Sequence, residues 1–245
     1  MARIIGLLIL IMLLLLASMS GFAVKRFGEN LCSDPRFICV KVKTGQSWEK
    51  LWPDEYQRQL VKRLNRINLQ LYPGMIIAVP KDLNKLSLKD IAPFPVNIAP
   101  PGSKVIIVEP SALAWGAYNP QGVLQFWGPI SAGRVYCPDI DESCRTVVGE
   151  FRIYRKEGGD CISKIFPVDK EGGAPMPYCM FFDGGYALHG SSEIPGYQAS
   201  HGCVRLFTED AKWLNESFID LPNSSNGYHG TKVIIKPYNG EDEPE

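Results

Sequence analysis

One thiol and two imidazoles fall within fifteen consecutive residues: His189 in Leu188-His189-Gly190, then His201 and Cys203 in Ser200-His201-Gly202-Cys203-Val204-Arg205. The whole chain holds three histidines, so two of them beside one cysteine set this stretch apart. A thiol becomes a useful nucleophile when a nearby imidazole takes its proton and backbone amides stabilise the oxyanion formed on the attacked carbonyl. Gly202 allows a sharp turn next to Cys203, on which the amides of His201, Gly202 and Cys203 are expected to converge as an oxyanion hole. Two other uses of the same residues compete. A buried cysteine is often a small inert hydrophobe. His189, His201 and Cys203 also make three zinc ligands, but ligands in His-x-Cys crowd one another and no Cys-x-x-Cys or His-x-x-x-His accompanies them. The nucleophile reading is preferred, with no metal and no cofactor expected.

The stretch from Met176 to Gly190 (Met-Pro-Tyr-Cys-Met-Phe-Phe-Asp-Gly-Gly-Tyr-Ala-Leu-His-Gly), continued by Ser200 to Leu206, resembles the L,D-transpeptidase (YkuD-like) catalytic domain of bacterial cell-wall enzymes. Upstream, Thr146-Val147-Val148-Gly149-Glu150-Phe151-Arg152-Ile153 resembles that family's Thr-Pro-x-Gly-x-Phe-x-Ile segment, with Val147 where proline is usual. The likeness runs from about Lys104 to Pro237. It implies that Cys203 is the nucleophile, His189 the general base, the Gly190 carbonyl the acceptor that orients it, and His201 a substrate or oxyanion contact. Ser200 would buttress the turn at Gly202. Tyr178, Met180 and Tyr186, ahead of His189, either line a donor groove or pack in the core, depending on strand register.

Two departures from the family pattern bear on substrate choice. Ten residues separate His189 from Ser200, a short interval for the family, so the loop over the site is expected to be trimmed. Arg205 stands where the family often has asparagine, placing a fixed charge and two-pronged donor capacity beside the nucleophile, which suits a carboxylate-bearing substrate.

By resemblance, the reaction is acyl transfer on the tetrapeptide stem of peptidoglycan: Cys203 expels D-Ala from the third residue, commonly diaminopimelate, and an amine resolves the thioester. Partners would be stem peptides and glycan strands, with an envelope protein as another acceptor. Carbapenem acylation of Cys203 is also implied. Water in place of the amine would make the enzyme an L,D-carboxypeptidase, and a catalytically idle glycan-binding envelope protein is the third reading. A papain-like protease would place its cysteine early and its histidine far downstream, the opposite order.

The first residues, Met1-Ala2-Arg3, an apolar run from Ile4 to Ala17 and then Ser18-Met19-Ser20, have the three regions of a secretory signal. Residues 1–24 are therefore read as an export segment cleaved near Ser20 or Ala23, with retention of 4–24 as a membrane anchor the alternative. Seven cysteines in an exported chain imply disulfides and one left over. The local scheme pairs Cys32 with Cys39, Cys137 with Cys144 and Cys161 with Cys179, leaving Cys203, although six cysteines allow fifteen connectivities. Twenty-six basic and twenty-six acidic residues give no net charge and no general pull toward nucleic acid.

About 220 residues follow the export segment, enough for one sizeable core and a smaller companion. The companion spans residues 40–82. Asp54 with Gln57 fits a helix N-cap and capping box, and the order expected is strand, helix, helix, strand, with the second helix short. Thr44-Gly45-Gln46-Ser47, Asn65 and the closing Leu71-Tyr72-Pro73-Gly74-Met75-Ile76-Ile77-Ala78-Val79-Pro80 resemble the LysM module, which binds N-acetylglucosamine-containing glycans. Residues 83–103 are Pro-rich and are expected to separate the units as a stiff extended linker. Within 104–237, strands are expected at 105–109, 113–118, 123–127, 149–154, 186–189, 203–206 and 232–236, with one helix over 209–214 that Thr208 precedes. Many short strands with few helices predict a mainly β fold, a β-sandwich, beside the small α+β (βααβ) LysM-like module. Residues 238–245 are read as an acidic, solvated tail.

Overall fold

The structure is a computed structural model that describes residues 24–238. Most of the expected export segment and the acidic residues 241–245 lie outside the described residues. Among the described residues no helix is long and apolar enough to cross a membrane.

The N-terminal unit begins with α1 (Phe27–Asn30), followed by β1 (Phe37–Lys41), α2 (Trp48–Leu51), α3 (Glu55–Asn65) and β2 (Ile76–Pro80). The short helix is thus the first of the central pair, not the second. It starts where the Ser47 hydroxyl accepts from the Lys50 amide at 3.3 Å, a cap that stops after one turn at Trp52 and Pro53. Asp54 caps α3 by accepting from the Gln57 amide at 2.8 Å, and Arg66 ends it in the left-handed conformation. On the apolar face of α3, Leu60 and Val61 are buried in one cluster with Trp48, Trp52, Met75 and Ile77, and Leu64 is buried as well. Asn65 joins that helix to β2: its amide accepts from the Ala78 N–H and donates to the Ala78 carbonyl, both at 2.8 Å. Strands β1 and β2 pair antiparallel from Phe37↔Pro80 to Lys41↔Ile76.

The larger unit contains β3 (Val105–Glu109), β4 (Ala114–Tyr118), β5 (Leu124–Ser131), β6 (Gly149–Arg152), β7 (Arg155–Lys156), β8 (Met180–Asp183), β9 (Tyr186–Gly190), β10 (Val204–Leu206), α4 (Thr208–Trp213) and β11 (Lys232–Ile235). Their order is β6-β11-β3-β4-β5-β10-β9-β8-β7, one continuous nine-stranded sheet instead of the two separate layers of a sandwich. The sheet curls on itself, since Phe151 on β6 packs against Phe182 on β8 with ring centroids 5.4 Å apart. Long β5 makes the turn possible: its first part pairs with β4 and its end, Ile130 and Ser131, pairs with β10. The enclosed core joins Ile106, Trp115 and Ile130 to Met180, Leu188, Val204 and Leu206, and α4 with its π-helical continuation closes it through Ala211 and Leu214. Each such fully buried side chain is worth about 1.5–3 kcal/mol, so closure of the curl stabilises both halves of the sheet at once. Thr208 lies inside α4, and Phe207 is the residue preceding it.

Residues 83–103 do not hold the two units apart. Trp127 donates to the Leu88 carbonyl at 2.7 Å and Tyr118 to the Pro95 carbonyl at 2.8 Å, while Phe94 and Ile98 pack on the outer face of the sheet. The segment opens with a 3-10 turn at Leu83–Lys85 and a turn at 88–91 that presents the Leu88 carbonyl to Trp127, and the prolines from Pro93 onward deny it further helix, leaving the Pro95 carbonyl to Tyr118.

The disulfides are Cys32–Cys39, Cys137–Cys144 and Cys161–Cys179, the local scheme of pairs, and Cys203 is the free cysteine. Such bonds fit an oxidising, extracytoplasmic compartment.

Candidate active site

Strands β9 and β10 run parallel as neighbours, with Leu188, His189 and Gly190 opposite Val204, Arg205 and Leu206. Because side chains alternate faces along a strand, Cys203 and Arg205 share a face, and His189, paired with Arg205, lies on that same face. The thiol and the imidazole are therefore brought to one side of adjacent strands. The register between β9 and β10 does this, and the short interval 190–199 is the crossover that makes the pair parallel.

The turn Ser200–Cys203 is fixed from three directions. Gly202 has φ of +118°, and a Cβ there would come within 2.8 Å of the Tyr186 ring, so both conformation and space require glycine. Ser200 Oγ accepts from the Gly202 amide at 3.1 Å and donates to the Cys203 carbonyl. The Gly202 amide is thus engaged and does not join a three-amide oxyanion hole. Buried Thr146 donates its hydroxyl to the Gly202 carbonyl at 2.6 Å and accepts from the Gly133 amide at 3.0 Å. Sequence reasoning gave Thr146 no role, although it opens the segment that resembles the family pattern.

His189 is buried, and its Nδ1 lies 2.9 Å from the Gly190 carbonyl oxygen. That partner is an acceptor only, so Nδ1 carries the proton and Nε2 keeps its lone pair. Burial pushes the His189 pKa down to about 4, the Gly190 carbonyl opposes this and the Arg205 charge adds to it. Burial pushes the Cys203 thiol up, against the Ala187 backbone and Arg205, which both draw it down. At neutral pH both groups rest uncharged. Cys203 is partly exposed, and its thiol donates to the Gly185 carbonyl oxygen at 3.7 Å. Arg205 lies with Nη1 3.4 Å from the Glu193 carbonyl and 3.6 Å from its carboxylate, keeping its charge near the thiol.

His201 turns another way. Its Nε2 is 2.8 Å from a carboxylate oxygen of Asp139, with an Arg134 guanidinium nitrogen 3.1 Å away, and the Phe166 ring lies 4.8 Å from its own. Asp139 sits inside the Cys137–Cys144 loop and Phe166 inside the Cys161–Cys179 loop, so the two disulfide loops meet over this imidazole. Asp139 carried no sequence signal beyond lying between two cysteines. Among the described residues, His189, His201 and Cys203 do not gather around a point that would hold an ion; the group at His201 consists of Asp139 and Cys137, whose sulfur is in a disulfide. Met180 is fully buried in the core and lines no groove, because the register of β8 turns it inward beside Leu188. Tyr186 abuts the Gly202 turn, and Tyr178 is half-buried against the core.

A family model described as the L,D-transpeptidase catalytic domain, YkuD, matches residues 103–235, more than half of the chain. No curated protein matches. Among solved structures, an L,D-transpeptidase from Xylanimonas cellulosilytica is 24% identical, with a TM-score of 0.52 over 72% of this chain and 78% of that one. An L,D-transpeptidase from Stackebrandtia nassauensis is 21% identical, with a TM-score of 0.44 over 64% of this chain and 63% of that one. With a curled, mainly β domain and the match over residues 103–235, the chain belongs to the YkuD family of L,D-transpeptidase catalytic domains.

Proposed function

We propose that the protein is a peptidoglycan L,D-transpeptidase with Cys203 as nucleophile and His189 as general base. The observation that carries this reading is the placement of the free thiol and a buried, neutral imidazole on one face of adjacent parallel strands within the family domain. Because both groups are neutral at rest, forming a thiolate–imidazolium pair before the substrate binds is uphill, by about 1.4 kcal/mol for each unit separating their pKa values. Proton transfer to His189 Nε2 therefore accompanies attack of the Cys203 sulfur on the carbonyl of the third stem residue. A C–S bond forms, the tetrahedral oxyanion collapses, the C–N bond to D-Ala breaks, and the His189 proton leaves on the D-Ala amine. An incoming amine then gives its proton to His189 and displaces the thiol, which recovers that proton. Arg205 offers its guanidinium to the carboxylate of the donor, and Tyr186 borders the turn that carries the nucleophile.

Supporting an envelope location, the three disulfides require an oxidising compartment and the family acts on the cell wall. Residues 40–82 are a candidate glycan-binding module, on the strength of their strand-helix-helix-strand order and the resemblance of their turns. Failure of that fragment to associate with insoluble peptidoglycan would remove the module from the proposal.

The test is mass spectrometry of products from the mature chain with a disaccharide-tetrapeptide and excess D-Met, beside Cys203→Ala. Loss of D-Ala with D-Met incorporation or with 3-3 dimers, absent in the variant, is the expected result. Tripeptide alone would identify an L,D-carboxypeptidase, and turnover by Cys203→Ala would overturn the nucleophile.

A further inference from the structure

We infer that Asn68, a residue of the N-terminal unit, is a positioning residue for the acyl-transfer site, acting through the turn 191–194 on Arg205. The inference rests on the cysteine acyl-transfer reading above and adds to it a role for the unit outside the family domain.

The observations are a set of short contacts with one direction. Asn68 follows α3 by three residues, and its carboxamide meets the active-site crossover: Nδ2 donates to the Ser191 carbonyl at 2.7 Å, and Oδ1 accepts from the Ile194 amide at 2.8 Å. Its own backbone amide donates to the Ile194 carbonyl at 3.1 Å. One residue earlier, Ile67 bridges Pro195, and Phe27 donates to the Gly196 carbonyl at 2.9 Å. Ile67 and Ile194 are both buried, so the seam is dry at its centre. A planar amide with one donor and one acceptor satisfies both ends of a four-residue turn at once, which a hydroxyl or an aliphatic side chain cannot do.

That turn is not remote from the chemistry. Ser191 leaves β9 directly after Gly190 and donates its amide to the Leu206 carbonyl on β10 at 2.8 Å. Glu193, at the turn's apex, presents its carbonyl and its carboxylate to Arg205 Nη1. Arg205 is paired with His189 across the ladder and lies two residues from Cys203. The chain of contact is therefore Asn68, Ser191 and Ile194, Glu193, Arg205. Without the Asn68 carboxamide the turn keeps its attachment at Leu206 and the backbone bond from Asn68 to Ile194, but loses the two side-chain bonds that set its outer half, and with them the fixed placement of the guanidinium that meets the donor carboxylate. The Glu193 carboxylate is itself largely exposed, so the backbone of the turn, not that side chain, limits where the guanidinium rests.

The experiment uses the full mature chain and follows acylation of Cys203 by the tetrapeptide donor in wild type, Asn68→Ala, Arg205→Gln and the double variant. Asn68→Ala should lower kcat/KM about tenfold, chiefly through KM, the scale of losing the net worth of the turn's hydrogen bonds. In the Arg205→Gln background the same substitution should change kcat/KM by less than about twofold, because the residue through which it acts is gone. Asn68→Asp, which retains the acceptor for Ile194 but not the donor for Ser191, should fall between wild type and Asn68→Ala and serves as the test if the alanine variant does not fold. Equal losses in both backgrounds, or an unchanged kcat/KM in a folded Asn68 variant, would overturn the inference and leave the acyl-transfer reading intact. Full turnover by Cys203→Ala would instead remove the reading on which it rests.

Discussion

Arg63 on α3 and Asp210 on α4 are 147 residues apart in the chain and form a two-pronged ion pair, with nitrogen–oxygen distances of 2.5 and 2.7 Å. The two side chains are 5% and 1% exposed. The guanidinium also lies 5.2 Å from the ring centroids of Phe126 and Phe207, which exclude water from the pair. Asp210, in the first turn of α4, is thus held by a cation from the other unit, and the two units share this buried electrostatic contact.

Breaking that pair from one side should be costly and breaking it from both sides much less so. Arg63→Met leaves a buried carboxylate without a partner and should destabilise the chain by about 3–5 kcal/mol, whereas Arg63→Met with Asp210→Leu should recover most of the loss. Chemical denaturation of the two single variants and the double variant measures the coupling directly. Additive losses would mean that the pair does not join the units energetically.

Thr146 is the second buried polar group with a specific load. Thr146→Val keeps the volume but strands the Gly202 carbonyl and the Gly133 amide, at a cost of about 2 kcal/mol. Because Gly202 precedes the nucleophile, Cys203 acylation by a carbapenem should slow by about tenfold even at temperatures where the variant is fully folded. Thr146→Ser should retain both bonds and most of the rate. A valine variant that is destabilised but acylates at the wild-type rate would confine Thr146 to stability.

The Arg63–Asp210 pair and Thr146 show what sequence reasoning can and cannot reach. Val105–Glu109 reads as a strand because its run of β-branched residues is buried on both faces, and Cys203, His189 and Gly202 are legible because scarce chemical groups crowd one short segment. The Arg63–Asp210 pair has no local signature, and neither does the parallel pairing of β3 with β11, whose residues lie more than 120 positions apart. Met180 is ambiguous in the sequence because one step of register moves a strand residue from groove to core, and that register is visible only in the pairing of β8 with β9. The proline content of residues 83–103 disfavours long helix, but it says nothing about which aromatic N–H or O–H caps the segment's carbonyls. His201 keeps its place in the motif while its partner, Asp139, arrives from the loop closed by the Cys137–Cys144 disulfide and the Cys137–Glu142 bridge, which no local pattern announces.

Burial of neutral His189 makes stability depend on pH. The unfolded imidazole takes up a proton near 6.5 and the folded one near 4, so between these values the unfolded state binds more protons and stability rises with pH. The contribution is complete above about pH 6.5 and lost as pH falls to about 4, a span worth about 3 kcal/mol. His189→Gln should flatten this component of the denaturation free energy between pH 7 and pH 4. An unchanged pH dependence in the glutamine variant would mean that His189 is charged in the folded protein.

The same electrostatics fix how the nucleophile behaves in the absence of a donor. Arg205 draws the Cys203 thiol down, but burial pushes it up by more, and the depressed basicity of His189 leaves the proton on sulfur. Alkylation of Cys203 by iodoacetamide should therefore follow a single ionisation above the ordinary thiol range, with only a small fraction of its alkaline rate left at pH 7. Arg205→Gln removes a positive charge that disfavours imidazolium and favours thiolate, so it should raise both pKa values: the alkylation curve moves to higher pH, and the acid limb of donor acylation moves up from about 4. A rate of alkylation that is flat between pH 5 and pH 8 would be the signature of a preformed thiolate–imidazolium pair. It would also require the imidazole to hold its proton at neutral pH, which the buried, singly hydrogen-bonded environment of His189 opposes. The two outcomes separate proton transfer during attack from proton transfer before it, and mass spectrometric counting of the adduct at each pH distinguishes them without any substrate.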